Sequence, residues 1–149
     1  MNEALKNIRT RNSPRELSKP YPSEEEMEII YQAALRAPDH AWQRPSRFIQ
    51  VTGKGLEKLS SIFVDFAKDN IEDVTDETLQ KYREAPFRAP MIVILISEIK
   101  THPKVPEIEQ IISLGASVSG LSLHFLSYIY GIFFCFALSF CSSISSVEQ

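Results

Sequence analysis

Residues 36–51 read RAPDHAWQRPSRFIQV, and the fold around them follows from how this stretch is read. It leaves an amphipathic helix, passes through a loop carrying Arg36, Asp39, His40, Trp42, Gln43 and Arg44, and enters a strand. Pro38 and Pro45 stiffen the loop, because proline fixes φ and removes a backbone donor. A rigid loop this rich in guanidinium and imidazole groups has the make-up of a seat for something anionic and flat.

Upstream, Pro20, Pro22 and Ser23 announce the helix that feeds the loop. Ser23 with Glu26 three residues later spells a capping box, and Glu24 and Glu25 suit the positive end of the helix dipole. Met27, Ile30, Tyr31 and Ala34 form its apolar stripe. Pro38 stops it, since the residue before a proline avoids the helical region, so Arg36 and His40 emerge where the helix ends. Earlier still, Ala4, Leu5 and Ile8 share one face of a short helix, followed by the basic turn RTRNSPR at residues 9–15. That turn reads as a solvated loop, which composition favours, or as a phosphate grip, because guanidinium forks with Asn and Ser suit a phosphate monoester.

Downstream, RFIQVT at residues 47–52 alternates as a strand does and is closed by Gly53-Lys54-Gly55. That pair of glycines lacks the third glycine and the context of a dinucleotide fingerprint. Leu56, Leu59, Phe63 and Phe66 mark a third helix. The acidic residues 65–77 read as an exposed linker, and Thr75 as the cap of a fourth helix with Leu79 and Tyr82 inward. APFRAP at residues 85–90 breaks that helix, and MIVILI at 91–96 reads as a central strand covered on both faces. KTHPKVP at 100–106 is an irregular loop. From Glu107 a long helix begins, with Ile108, Ile111, Ile112, Val118 and Leu121 apolar and Ser113, Ala116, Ser117 and Gly120 forming a small-residue face. Tight packing within the chain and a subunit interface both suit that face.

The length of 149 residues is that of about one domain, and 44% hydrophobic with 23% charged residues is ordinary for a soluble globular protein. A net charge of −3 gives no bulk attraction to nucleic acid. The opening MNEALKNIRTR has no apolar run of a secretory signal. Cys135 and Cys141 have neither a metal spacing nor the look of a disulfide framework, which fits a reducing compartment, and the cytoplasm is the expected location. His40 beside Asp39 is, in the ordinary case, a loop hydrogen-bonding group. No GxSxG, HExxH, CxxC or P-loop accompanies it, so neither triad nor metal chemistry is expected, and a neutral imidazole donating to a bound ligand is the functional option.

Ile8 with Arg11-Asn12-Ser13 resembles the Arg-Arg-Ser motif of the FMN-dependent nitroreductase family. Arg36-Ala37-Pro38-Asp39-His40 with Gln43, Pro45, Arg47 and Phe48 is similar to the small single-domain bacterial branch of that family. Residues 85–90, Lys104-Val105-Pro106 and Glu109-Gln110 follow that branch in order and spacing. The resemblance implies an α+β fold, a mainly antiparallel sheet flanked by helices, in a homodimer with FMN at the subunit interface. It implies hydride passing from NAD(P)H through flavin to a nitroaromatic, quinone or similar small-molecule acceptor, with no essential protein-side acid or base. Carried over by position, Arg11, Asn12 and Ser13 would hold the phosphate or ribityl chain, with Asn12 where the family has its second arginine. Arg36 and His40 match positions that reach the flavin, in the homologous proteins from across the dimer.

The resemblance covers residues 1–121, read as the nitroreductase-like domain, with 122–149 an atypical apolar and Ser-rich tail. The family continues with a Gly-rich turn, a Trp-Arg flavin contact, further strands and a C-terminal arm, whereas Trp42 is the chain's one tryptophan. The expectation is a shortened or frame-shifted member. Two other readings stay open: an inactive remnant, and a tail-anchored protein whose uncharged residues 121–141 have the length of a membrane span.

Overall fold

The computed structural model describes residues 2–12 and 16–127. In chain order these form α1 (Glu3–Thr10), α2 (Glu24–Ala34), a single 3-10 turn (His40–Trp42), β1 (Ser46–Thr52), α3 (Lys54–Asn70) and α4 (Asp76–Glu84). A second 3-10 turn (Ala85–Arg88), β2 (Met91–Ser97) and α5 (Glu107–Ser127) follow. The chain divides into two compact units. The first holds α1, α2, the loop into β1 and α5, and the second holds α3 and α4. Each strand contributes one end to each unit, β1 dividing after Ile49 and β2 after Ile94.

In the first unit, α2 begins with the expected reciprocal cap. The Ser23 amide donates to Glu26 Oε2 at 2.8 Å and the Glu26 amide to Ser23 Oγ at 3.3 Å, satisfying two of the donors a helix start leaves over. Its stripe of Met27, Ile30 and Ala34 is buried, and α2 packs along α5. Tyr31 stacks obliquely on Phe48 of β1, ring centres 5.2 Å apart, and burial pushes its hydroxyl up to about 12.

The inward face of α5 is the small one: Gln110, Ser113, Ser117, Leu121 and Ser122 are buried, while Ile108, Ile111 and Ile112 are exposed. Of the two readings of the small-residue face, packing within the chain is therefore the one observed, and three of the apolar positions, Ile108, Ile111 and Ile112, point outward. The reason is distance. A Cβ at Gly120 would stand 3.4 Å from Ala34 Cα and 3.5 Å from the Ala33 carbonyl, so the two helices meet where isoleucines do not fit.

In the second unit, Gly53 at φ +50° turns the chain from β1 into α3, a left-handed conformation that glycine adopts without a Cβ clash. Leu56, Leu59, Val64 and Ala67 bury against α4, and Ser60 Oγ donates to the Arg83 carbonyl at 2.7 Å. Thr75 caps α4 as expected, its Oγ1 accepting from the Thr78 amide. The acidic linker expected from residue 65 begins later, because α3 runs on to Asn70. Its buried face continues through Val64 and Ala67 while Asp65, Lys68 and Asp69 occupy the solvent side, and Phe63 and Phe66 are only half-buried.

β1 and β2 form a two-stranded sheet among the described residues. They run antiparallel, because the Glu98 amide just after β2 donates to the Pro45 carbonyl just before β1, at 2.8 Å. Every side chain of residues 91–96 is half-buried and none fully buried, and in place of a central strand β2 is, among the described residues, one of a pair. No helix among the described residues is long and apolar enough to cross a membrane. The tail reading falls almost entirely on residues outside those described.

The close approach of α2 and α5 makes Gly120 sensitive to volume and tolerant of one methyl group. Gly120→Ala should stay within about 1 kcal/mol of the parent, since the added Cβ makes ordinary contacts and helix propensity improves. Gly120→Leu should destabilise by about 1–3 kcal/mol and lower Tm by roughly 3–10 °C, followed by circular dichroism on heating.

Candidate functional site

The loop between α2 and β1 departs furthest from relaxed geometry. α2 ends at Ala34, the Leu35 amide still donating to the Tyr31 carbonyl at 2.9 Å and the Arg36 amide to Ala33 at 3.1 Å. Beyond Pro38 the backbone enters the left-handed region at Ala41 (φ 56°), Trp42 (φ 54°) and Arg44 (φ 49°), none of them glycine. Each such residue costs about 1–3 kcal/mol and persists only where surrounding contacts over-determine it.

Those contacts are present. The Asp39 carboxylate accepts the Gln43 amide on Oδ1 at 3.1 Å and the Arg44 amide on Oδ2 at 2.7 Å. The Gln43 side chain donates back to the Ala41 carbonyl at 3.0 Å, and Lys100 Nζ donates to the Gln43 carbonyl at 2.8 Å. Lys100 is itself gripped by the buried Gln110 of α5. Its amide donates to Gln110 Oε1 at 2.9 Å, and Gln110 Nε2 donates to its carbonyl at 2.8 Å. Glu109, the preceding residue, meets His40 Nδ1 through Oε2 at 2.7 Å. Ser117 Oγ donates to the Ser113 carbonyl, which leaves Ser46 as the donor in the 3.2 Å contact between the Ser46 and Ser117 hydroxyls. Helix α5 thus holds the loop at His40, through Lys100 at Gln43, and at the first residue of β1.

Arg36 and His40 lie on this one loop, both exposed, while Arg11 and Asn12 follow α1 on a separate segment of the same unit, also exposed. Ser13 lies outside the described residues. Sequence reading did not find the partnerships of Glu109 with His40, Gln110 with Lys100, or Lys100 with Gln43. Glu109 and His40 are 69 positions apart, and nothing local in either segment announces the pairing. Exposed guanidinium, amide and imidazole donors suit phosphate and carbonyl oxygens, so the residues present fit a flavin nucleotide in kind.

The family model described as the nitroreductase family matches residues 8–141. The chain belongs to that family. The matched span passes the boundary expected at residue 121. YdjA of Escherichia coli K12, which carries a provisional NAD(P)H nitroreductase name, is 33% identical over 129 residues, covering 87% of this chain and 69% of YdjA. A Haemophilus influenzae protein with the same kind of name is 36% identical over 126 residues, covering 81% and 65%. Among solved structures, a BluB-like flavoprotein from Clostridium difficile 630 superposes at TM-score 0.76 with 17% identity over 99% of this chain and 81% of its own. A nitroreductase from Desulfovibrio desulfuricans, solved in complex with FMN, superposes at 0.62 with 20% identity, over 86% and 64%. At these identities the superpositions establish the fold, which is α+β as expected. The chain spans about two thirds of the length of most of these relatives.

Replacing Gln110 by leucine keeps its volume and removes both bonds to the Lys100 peptide. The expected loss is about 1–4 kcal/mol, two peptide groups losing their partner. It should lower the urea midpoint with an unchanged m-value, accompanied by a shift in emission of the single tryptophan, Trp42, as Lys100 releases the Gln43 carbonyl.

Proposed function

We propose that the protein is an FMN-dependent oxidoreductase taking hydride from NAD(P)H and reducing a nitroaromatic, quinone or similar small acceptor. Membership of the nitroreductase family over residues 8–141 carries this reading. The donor set of the first unit supports it. When bound, FMN supplies the redox chemistry, and the protein supplies grip, orientation and electrostatics. Arg11, Asn12 and Ser13 would hold the phosphate and ribityl end, and Arg36 and His40 the ring. Asn12 contributes hydrogen bonds without charge, so Arg11 and Arg36 carry most of the electrostatic attraction. Glu109 keeps the His40 ring oriented, fixing which nitrogen is turned outward.

The visible spectrum of the purified protein, before and after added FMN, tests the assignment. The expected result is a yellow protein, or a colourless one that takes up FMN and then oxidises NADH or NADPH when an acceptor is supplied. A colourless protein that ignores FMN would leave the inactive remnant as the better reading. Arg36→Ala and Arg11→Ala should each weaken FMN binding about 10- to 150-fold, the range of one charge-assisted hydrogen bond.

A homodimer is part of the same proposal. Ile108, Ile111 and Ile112 of α5, and Leu5 and Ile8 of α1, are exposed on two helices that touch each other. Apolar side chains gathered on adjoining elements are the usual mark of an interface. Sedimentation should find the parent chain dimeric and Ile112→Glu monomeric, and an Ile112→Glu dimer of undiminished stability would remove this face from the interface.

A further inference from the structure

Trp42 is 79% exposed, the largest exposure among the big apolar side chains described, and nothing in the fold accounts for it. The loop has nonetheless fixed the backbone that carries this indole. Trp42 and its neighbours Ala41 and Arg44 are held left-handed, and the Asp39 carboxylate, the Gln43 side chain and the Lys100 ammonium are all engaged in holding them. The Arg44 guanidinium lies over the Trp42 ring, its carbon 5.7 Å from the ring centre. A stacked guanidinium keeps its in-plane N–H donors available to a carboxylate while it rests on an aromatic face.

We propose that the Trp42–Arg44 pair is the element that selects the electron acceptor, and that it favours planar aromatic acids. The ring of such a compound lies on the indole face beside the guanidinium, and its coplanar carboxylate meets the edge of Arg44 on that same face. The identity of the ligand as an acceptor rests on the oxidoreductase reading above; the binding itself does not. The local charges agree with an anionic ligand. Both oxygens of Asp39 accept backbone amides of the loop, and the Glu109 carboxylate is engaged by His40. The two acidic groups nearest in sequence or contact are therefore occupied within the loop and its anchoring helix, while Arg36 and Arg44 are exposed. Because the strained backbone is set beforehand, binding does not have to order it, and a small ligand with few contacts gains most from a site prepared in this way.

Trp42 is the chain's single tryptophan, so its emission reports on this site alone. The protein as purified, its flavin content recorded, is titrated with 4-nitrobenzoate and with nitrobenzene while emission intensity and lifetime are followed. Saturable loss of intensity at constant lifetime is expected for 4-nitrobenzoate, with nitrobenzene binding up to about fivefold more weakly, the worth of one exposed ionic contact. Arg44→Gln should bring the two compounds together by weakening only the acid. Trp42→Ala, followed by equilibrium dialysis, should weaken both. Quenching that never saturates and shortens the lifetime in step with intensity overturns the proposal. So does equal affinity for the two compounds in the parent, or an Arg44→Gln protein of unchanged preference. A protein that binds 4-nitrobenzoate in this way yet refuses FMN upholds the platform and ends the oxidoreductase reading. One that takes up FMN but shows only collisional quenching ends the platform alone.

Discussion

The short distance between α2 and α5 is the constraint from which the rest of the first unit follows. Helices usually lie 8–10 Å apart, the spacing set by the side chains between them, and small residues allow the lower end. Gly120 against Ala33 and Ala34, with Ser113 and Ser117 beside it, allows it here. Once small residues face inward, the isoleucines of α5 must face outward, since a helix has only one face to give to each side. The same rotation turns Gln110 and Ser117 toward the loop after α2. An exchange of the two faces would bury more hydrocarbon on α5 but would remove the polar side chains that hold the loop.

Holding the loop is a substantial task. Three non-glycine residues in left-handed conformation would relax if left to themselves, so the energy that keeps them there has to come from contacts outside the loop as well as within it. Asp39 works locally, converting two amides that point inward into partners of one carboxylate. Lys100 and Glu109 work from a distance, and both depend on α5: Glu109 belongs to it, and Lys100 is held through its peptide by Gln110. A long-range hydrogen bond to a fixed peptide is stiffer than one to a solvent-exposed side chain, because the peptide has no rotamers to lose. Geometry at Trp42 is thus set by a helix sixty and more residues further along the chain.

What could be read from the sequence, and what could not, divides along the same line. Local chemistry was legible: Ser23 and Glu26 give the cap of α2, Thr75 that of α4, and the apolar run at residues 91–96 the second strand. The resemblance in ordered motifs gave the α+β fold and the family. The end of α3 was misjudged because Asp65 and Asp69 were read as a change of composition, when the apolar period carried on beneath them through Val64 and Ala67. The direction in which the isoleucines of α5 face could not be read: hydrophobicity says that a residue gains by burial, not that there is room for it, and room was decided by Ala33 and Ala34, more than seventy residues away. At the candidate site, Arg36 emerges just past the end of α2 and His40 follows in a 3-10 turn, while the partners of His40 and of the Gln43 carbonyl could not be read, since no spacing rule connects them.

The position of Glu109 has a consequence for how the two ends of α5 are used. On the helix it falls between the outward Ile108 and Ile112 and the inward Gln110 and Ser113, at the border of the two faces. A second copy seated on the isoleucines would take water from the flank of the His40–Glu109 pair without entering it. Removing water strengthens a hydrogen bond once it is made, and makes either partner costly to leave alone. Association would therefore tighten the hold of α5 on the loop from the side opposite to Gln110.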